Sequence, residues 1–319
     1  MALEVAPSLR CRRVRGTLRS IVAAAAFGVG SWVGIRPAPP PPPAPAPVVR
    51  AATEATPPAI DGDVASLPPW PKLNPEASIS RAWQLAEGPH RQKTDRRKLV
   101  TLTFDDGPFP EYTPKVLDLL EKYEVRATFF VVGLYLDGND DRSRASRETL
   151  EKVVAGGHLV GNHTHDHARL TAVSHTPVLA QIDRGAASIE RVTKKTPSFC
   201  RPPFGEVDAF GEEAARVRGL DLVLWNVEAQ DMSRDDTSAM FRDVVGQIQK
   251  HGGGIVLLHD IRWTSVKLLK QLLEYLSVRK YDPRRPNREG YEIVDLPTYL
   301  RAVEASPPQP HPPRHPAEG

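Results

Sequence analysis

The chain has 319 residues, 40% hydrophobic and 25% charged, enough for one sizeable core. Its net charge of +3 is concentrated at one end, because residues 1–36 hold six Arg and one Glu and the remainder is close to neutral. That remainder has no basic stripe of the kind nucleic-acid binders use, and two cysteines, Cys11 and Cys200, exclude a disulfide framework.

The N-terminal segment predicts export, to a secreted, periplasmic or envelope-anchored location. Arg10, Arg12, Arg13, Arg15 and Arg19 form a basic region, and residues 20–35 are uncharged and include Phe27, Trp32 and Val33. So short an apolar stretch suits a signal peptide over 1–36, with an uncleaved signal anchor that tethers the chain to a membrane as the alternative. Residues 37–57 are a Pro/Ala-rich linker, with eight prolines within 37–47. Six more prolines fall within 307–316, so 306–319 reads as a disordered tail. Residues 58–97, which carry Trp70 and Trp83, read as a segment partly docked on a domain spanning 98–305.

Within 98–305 strand and helix signals alternate. A β-like run over 99–104 ends in Thr103-Phe104-Asp105-Asp106-Gly107-Pro108. Thr113-Pro114 predicts a helix start, with Thr as N-cap and Pro in the first turn, and Val116, Leu117, Leu120 and Tyr123 mark its apolar face. A strand over 127–132 follows. The charged stretch 137–147 reads as a loop, either shaping a cleft or lying on the surface. A helix over 149–155 is stopped by Gly156-Gly157, and a strand over 158–161 leads into His163-Thr164-His165-Asp166-His167. A helix opened by Thr176-Pro177 runs to about 192. A strand over 198–200 ends at Arg201, then come a helix over 209–218, a strand over 220–225 and a helix over 236–249. Gly252-Gly253-Gly254 has no following Lys-Ser/Thr and reads as a turn into a strand over 254–258 that ends at His259. A helix over 265–276, a strand over 292–294 and a helix over 298–303 complete the pattern. About seven β-α units with apolar strands imply an α/β fold with parallel strands buried on both faces. The chemical residues fall at strand C-terminal ends, where parallel barrels carry their active sites. A doubly wound open sheet is the alternative.

Two adjacent carboxylates followed by two histidines four apart make a divalent-metal site with a spare carboxylate beside it. That is the equipment of a metal-assisted hydrolase. An Asp-His-His set suits Zn²⁺ first, with Co²⁺, Ni²⁺ or Mn²⁺ open. His165 is the alternative ligand. Amide cleavage also needs a proton donor for the leaving nitrogen, a role open to His259. Cys200 reads as a small buried thiol rather than a nucleophile.

Thr103–Pro108, His163-x-x-x-His167, Arg201-Pro202-Pro203-Phe204-Gly205 and Leu257-Leu258-His259 occur in this order over residues 98–305. Together they resemble the polysaccharide deacetylase family, the NodB-homology domain of carbohydrate esterase family four. The resemblance implies a distorted (β/α) barrel and hydrolysis of an N-acetyl, or less often O-acetyl, group on a glycan such as peptidoglycan or chitin-like oligomers. It implies Asp105 as general base, Asp106, His163 and His167 as metal ligands, and Arg201 as partner of Asp105. His259 would be the general acid, oriented by Asp231, with Glu228 and Asp221 as competing candidates. Phe204 stands where the family usually has Tyr, and its backbone amide would serve the oxyanion. Met232 stands where the family commonly has Trp, in an apolar wall behind His259. Leu257 and Trp225 complete the expected substrate-side set. Trp225 and Trp263, with Trp70 and Trp83, are available for sugar stacking. An O-acetyl xylan esterase, a small-amide hydrolase and a non-catalytic envelope-binding protein are the alternatives.

Overall fold

Side chains along β1 (Arg97–Gly107) alternate between two environments, as the two-residue period of a strand requires. Val100, Leu102 and Phe104 pack into the large outer core, whereas Leu99 joins an inner cluster with Phe130, Val223 and Ile255. The same period places Thr101, Thr103 and Asp105 on the inner face with Leu99. The computed structural model describes residues 96–304, so the expectations for 1–36, 37–57, most of 58–97 and 306–319 lie outside the described residues. No helix among the described residues is long and apolar enough to cross a membrane.

After β1 come α1 (Thr113–Lys122), β2 (Thr128–Val131), α2 (Leu134–Asp137), α3 (Asp141–Ala155), β3 (Leu159–Asn162), α4 (His175–Thr193) and β4 (Phe199–Cys200). The second half holds α5 (Ala209–Arg216), β5 (Asp221–Leu222), β6 (Val227–Glu228), α6 (Thr237–His251), β7 (Gly254–His259), α7 (Trp263–Ser277), β8 (Gly290–Ile293) and α8 (Leu296–Glu304). Every strand pairing is parallel, in the order β5-β4-β3-β2-β1-β7-β6, and β8 pairs with the first residues of β1. The sheet curls into a distorted (β/α) barrel with helices outside. Its path ends in β5 and β6, which have only two residues each. From α8, Leu296, Tyr299 and Leu300 fill the inner cluster. At Gly253 a Cβ would sit 2.0 Å from the Leu99 carbonyl, so the turn before β7 tolerates no side chain against β1.

Three local expectations need correction. Thr113 is not a side-chain N-cap: its hydroxyl accepts from the Phe109 N–H and donates to Asp260, and the helix has no side-chain cap bond. Most of the stretch 137–147 is no loop: after the end of α2 and a short connection it forms the first half of α3, started by Asp140 accepting from the Ser143 N–H at 3.0 Å. Ser143, Ser146 and Thr149 supply three of its five buried positions, which hid the apolar period. The strand over 220–225 shrinks to β5, because Arg201 takes the carbonyls of Val223 and Leu224 at 2.8 and 3.1 Å.

Candidate active site

Adjacent residues of a regular strand point to opposite faces. Asp105 and Asp106 escape that rule because Asp106 lies in the left-handed region at φ 71°, where the β1–β2 register also shifts. Both carboxylates therefore face His163 at the end of β3. His163 Nε2 lies 3.8 Å from Asp105 Oδ2 and 3.4 Å from Asp106 Oδ1. Thr164 and His167 also take positive φ, 67° and 62°, and the turn they make brings His167 Nε2 to 3.1 Å from Asp106 Oδ1.

Potential ligand atoms of Asp106, His163 and His167 all lie within 4.8 Å of one another. The His163 Nδ1–H donates to the Arg201 carbonyl at 2.6 Å, which leaves the Nε2 lone pair free to face the carboxylates. Asp106 Oδ1 is buried without a hydrogen-bond partner. A buried acceptor facing two imidazoles, one of them fixed as an acceptor, is a donor set that a divalent cation satisfies. Burial disfavours charge on Asp106, yet His163 and His167 hold its carboxyl well below the usual carboxylate range. His165 turns the other way, with Nε2 2.8 Å from Asp137 Oδ2 and 3.2 Å from the Arg184 guanidinium.

Behind Asp105 the side chain of Arg201, 0% exposed, fills the barrel interior. It donates to Asp105 Oδ1 and to Thr103 Oγ1, both at 2.8 Å, and its guanidinium stacks 4.2 Å from the Phe130 ring and 5.5 Å from Trp225. Burial pulls Arg201 down from its ordinary value, while the Asp105 charge works against that pull.

On the other side, His259 ends β7 with Nε2 3.9 Å from Asp106 Oδ2. Its backbone N–H and its Nδ1–H donate to the two oxygens of Asp231 at 2.9 and 2.8 Å, and Ser265 donates to Asp231 as well. Burial opposes charge on His259, but Asp231, with Asp105 and Asp106 behind it, pushes its pKa up to about 9. Glu228 and Asp221, the competing partners, are exposed.

Phe204 also lies in the left-handed region, at φ 62°, and its ring is 53% exposed with its centroid 4.9 Å from that of His167. Leu257 is buried on the strand face that carries His259. Met232 does not fill an apolar wall. It is 43% exposed, and its carbonyl accepts from Arg262. The Arg262 guanidinium also holds the Asp231 carbonyl at 2.7 Å, so an arginine fixes this loop where Met232 was expected to fill an apolar wall. Trp263 is exposed at the start of α7. Cys200 is buried, its thiol pushed up to about 12 by burial, and is no nucleophile at neutral pH.

Sequence reasoning missed Asp260, whose carboxyl is fully buried, accepts from Thr113 and sits against Gly107. Its position directly after His259 was the only signal. It also missed the chain from His165 through Asp137 to Ser188 and Arg191, which pins the histidine loop to α4.

Comparison with known proteins bears on what this arrangement belongs to. The family model for polysaccharide deacetylase matches residues 92–223. A peptidoglycan-N-acetylglucosamine deacetylase of Bacillus cereus is 32% identical over 212 residues, 65% of this chain and 90% of that protein. This chain belongs to the polysaccharide deacetylase family. Peptidoglycan-N-acetylglucosamine deacetylase PgdA of Listeria monocytogenes is 34% identical over 208 residues, 65% of this chain. A mutant of peptidoglycan deacetylase PdaC from Bacillus subtilis superposes with a TM-score of 0.53 at 30% identity, covering 65% of this chain and 91% of that one. The matched region spans 38% of the full curated PdaC and 40% of PgdA. This chain therefore matches only part of those two proteins, and residues 92–223, matched by the family model, carry Asp105, Asp106, His163, His167 and Arg201.

Proposed function

We propose that the protein is an exported, metal-dependent deacetylase that hydrolyses N-acetyl groups of a peptidoglycan-type glycan. One observation carries this reading: the Asp106-His163-His167 cluster lies between an acid–base pair on each side, Asp105 with Arg201 and His259 with Asp231. The curated relatives, named as peptidoglycan deacetylases, support the substrate class. The basic and apolar N-terminal stretch supports export.

Asp106, His163 and His167 would hold the cation, Zn²⁺ by the chemistry of the set. When bound, it supplies Lewis-acid polarisation of the acetyl carbonyl and of water. Asp105 takes a proton from the attacking water, and Arg201 keeps that carboxylate in one orientation. The Phe204 backbone amide is the group that would hold the developing oxyanion. His259 gives an Nε2 proton to the leaving nitrogen, so that acetate and a free amine are the products. Asp231 accepts from the Nδ1–H, turns Nε2 toward the leaving nitrogen and stabilises the imidazolium that carries the Nε2 proton.

The test is acetate release by the full chain from peptidoglycan, chitooligosaccharides and acetylxylan. Release from N-acetylated glycan, lost on chelation and restored by Zn²⁺, is the expected result. Release from acetylxylan alone would move the reading to an O-acetyl esterase.

A further inference from the structure

Two aromatic side chains, Phe109 and Tyr135, come from the loop after the carboxylates and from the short helix tied to the histidine loop. Phe109 stands three residues after Asp106, and Tyr135 opens the α2 turn, whose start is tied to the histidine loop by Gly133 N–H to Thr164 O at 3.0 Å and Leu134 N–H to His165 O at 2.6 Å. Tyr135 is half-buried, and its phenol is raised first by burial and then by the charge of Asp106. The Arg142 guanidinium lies over both rings, 5.2 Å from the Phe109 centroid and 5.9 Å from that of Tyr135. Tyr112 stacks on Phe109 at 5.6 Å and backs the platform.

Arg142 is exposed and, among the described residues, has no carboxylate partner. Its neighbours are committed elsewhere: Asp140 accepts from Ser143, and Asp141 pairs with Arg144 at 2.7 Å. The segment that presents it is held in place, because Arg147 donates to the carbonyls of Leu136 and Gly138, both at 2.7 Å. The other stacked arginine on the rim differs. Arg169 lies 4.2 Å over Phe204, but Glu206 neutralises it. Of these two stacked guanidiniums, that of Arg169 is neutralised and that of Arg142 is not.

We infer that Arg142 is a specificity-determining residue that reads a carboxylate on the glycan beside the acetylated sugar. The inference rests on the deacetylase reading and narrows its substrate to acidic glycans, those with a carboxylate-bearing sugar or side chain, over neutral ones. The physical reason is the planar guanidinium fork, weakly hydrated and already oriented by two rings, which matches a carboxylate with two parallel hydrogen bonds. A neutral chitin-like strand gains none of this.

The test compares the full Zn²⁺-loaded chain and Arg142→Gln on three oligosaccharides of equal length. One is a neutral N-acetylglucosamine oligomer. The second is a peptide-free strand alternating with N-acetylmuramic acid, whose carboxylate is on the sugar. The third is the same strand bearing peptide, whose carboxylates are on the peptide. The expected result is a native preference for an acidic strand in kcat/KM that falls about tenfold in R142Q, through KM, and shrinks with added salt. Arg142→Lys should restore part of it. Whichever acidic strand loses preference identifies the carboxylate. An unchanged preference in R142Q, or an equal loss on all three strands, overturns the inference. Acetate release from none of them by the native chain would instead sink the deacetylase reading. Equilibrium binding to Asp105→Asn then decides the inference by itself: tighter binding of an acidic strand, weakened about tenfold by adding R142Q, upholds it, and equal binding overturns it.

Discussion

Asp105 and Arg201 form a salt bridge of 2.8 Å in which both side chains are closed off from solvent. Such a pair ties catalysis to folding, since the cation that orients the base would be an uncompensated buried charge without it. Removing one partner of a buried pair costs about 3–5 kcal/mol. Arg201→Ala and Asp105→Asn should both lose acetate release and unfold at lower denaturant, Asp105→Asn by less because its amide oxygen can still accept from the Arg201 guanidinium. Denaturant melts read against turnover check this. A native unfolding midpoint in Arg201→Ala would show that the pair is not the buried linchpin described.

The metal site predicts a different separation. Asp106→Ala and His163→Ala should lose Zn²⁺ binding in a calorimetric titration, while Asp105→Asn keeps it. A saturating cation binds only the folded chain, and a thousandfold excess over Kd adds about 4 kcal/mol of stability. The melting temperature should therefore rise with Zn²⁺ in the native chain and in Asp105→Asn, and stay flat in His163→Ala. Loss of binding in His165→Ala equal to that in His163→Ala would give the ligand role to the wrong histidine here.

His259 sets a pH dependence with a definite sign. Its folded pKa of about 9 stands above the ordinary 6.5, so the stability it contributes to the metal-free protein is complete below about 6.5 and lost as pH rises through about 9. Asp231→Asn removes the main source of the rise and should flatten stability across that window. In turnover the same group gives the alkaline limb, which Asp231→Asn moves to lower pH. Metal loading moves it the same way, because the cation offsets the pull of Asp106. A limb that ignores Asp231→Asn would remove His259 as the proton donor.

Asp260 gives the opposite sign. Burial pushes its carboxyl up to about 7 despite the Thr113 hydrogen bond, so its ionisation draws on stability as pH rises from about 4 to about 7. Asp260→Asn should be more stable than the native chain above that range and lose the advantage in acid. Gly107→Ala should destabilise at every pH by about 1–3 kcal/mol, since its Cβ would lie 2.3 Å from Asp260 Oδ1. Melts of both variants across pH, with the native chain alongside, check this. An advantage of Asp260→Asn that persists unchanged in acid would mean that burial of charge is not the cause.

The sequence by itself determined the parallel α/β order, because strand length, apolar content and helix starts such as Thr176-Pro177 and Asp236 are local properties. It also determined the residue types of the site, since Asp105-Asp106, the histidine pair, Arg201 and His259 each stand where a strand ends. What the tertiary structure decided depends on atoms far apart in the chain. The choice of Asp231 over Glu228 and Asp221 follows from burial at the end of β7. The shortening of the 220–225 strand to β5 follows from carbonyls claimed by Arg201. The exposure of Met232 follows from an arginine clamp on its backbone. The placement of both Asp105 and Asp106 on one face needs a left-handed backbone that no alternation of residue types encodes. The platform of Phe109, Tyr135 and Arg142 is likewise assembled from one loop and two helices, so only folding brings its charge together with its rings.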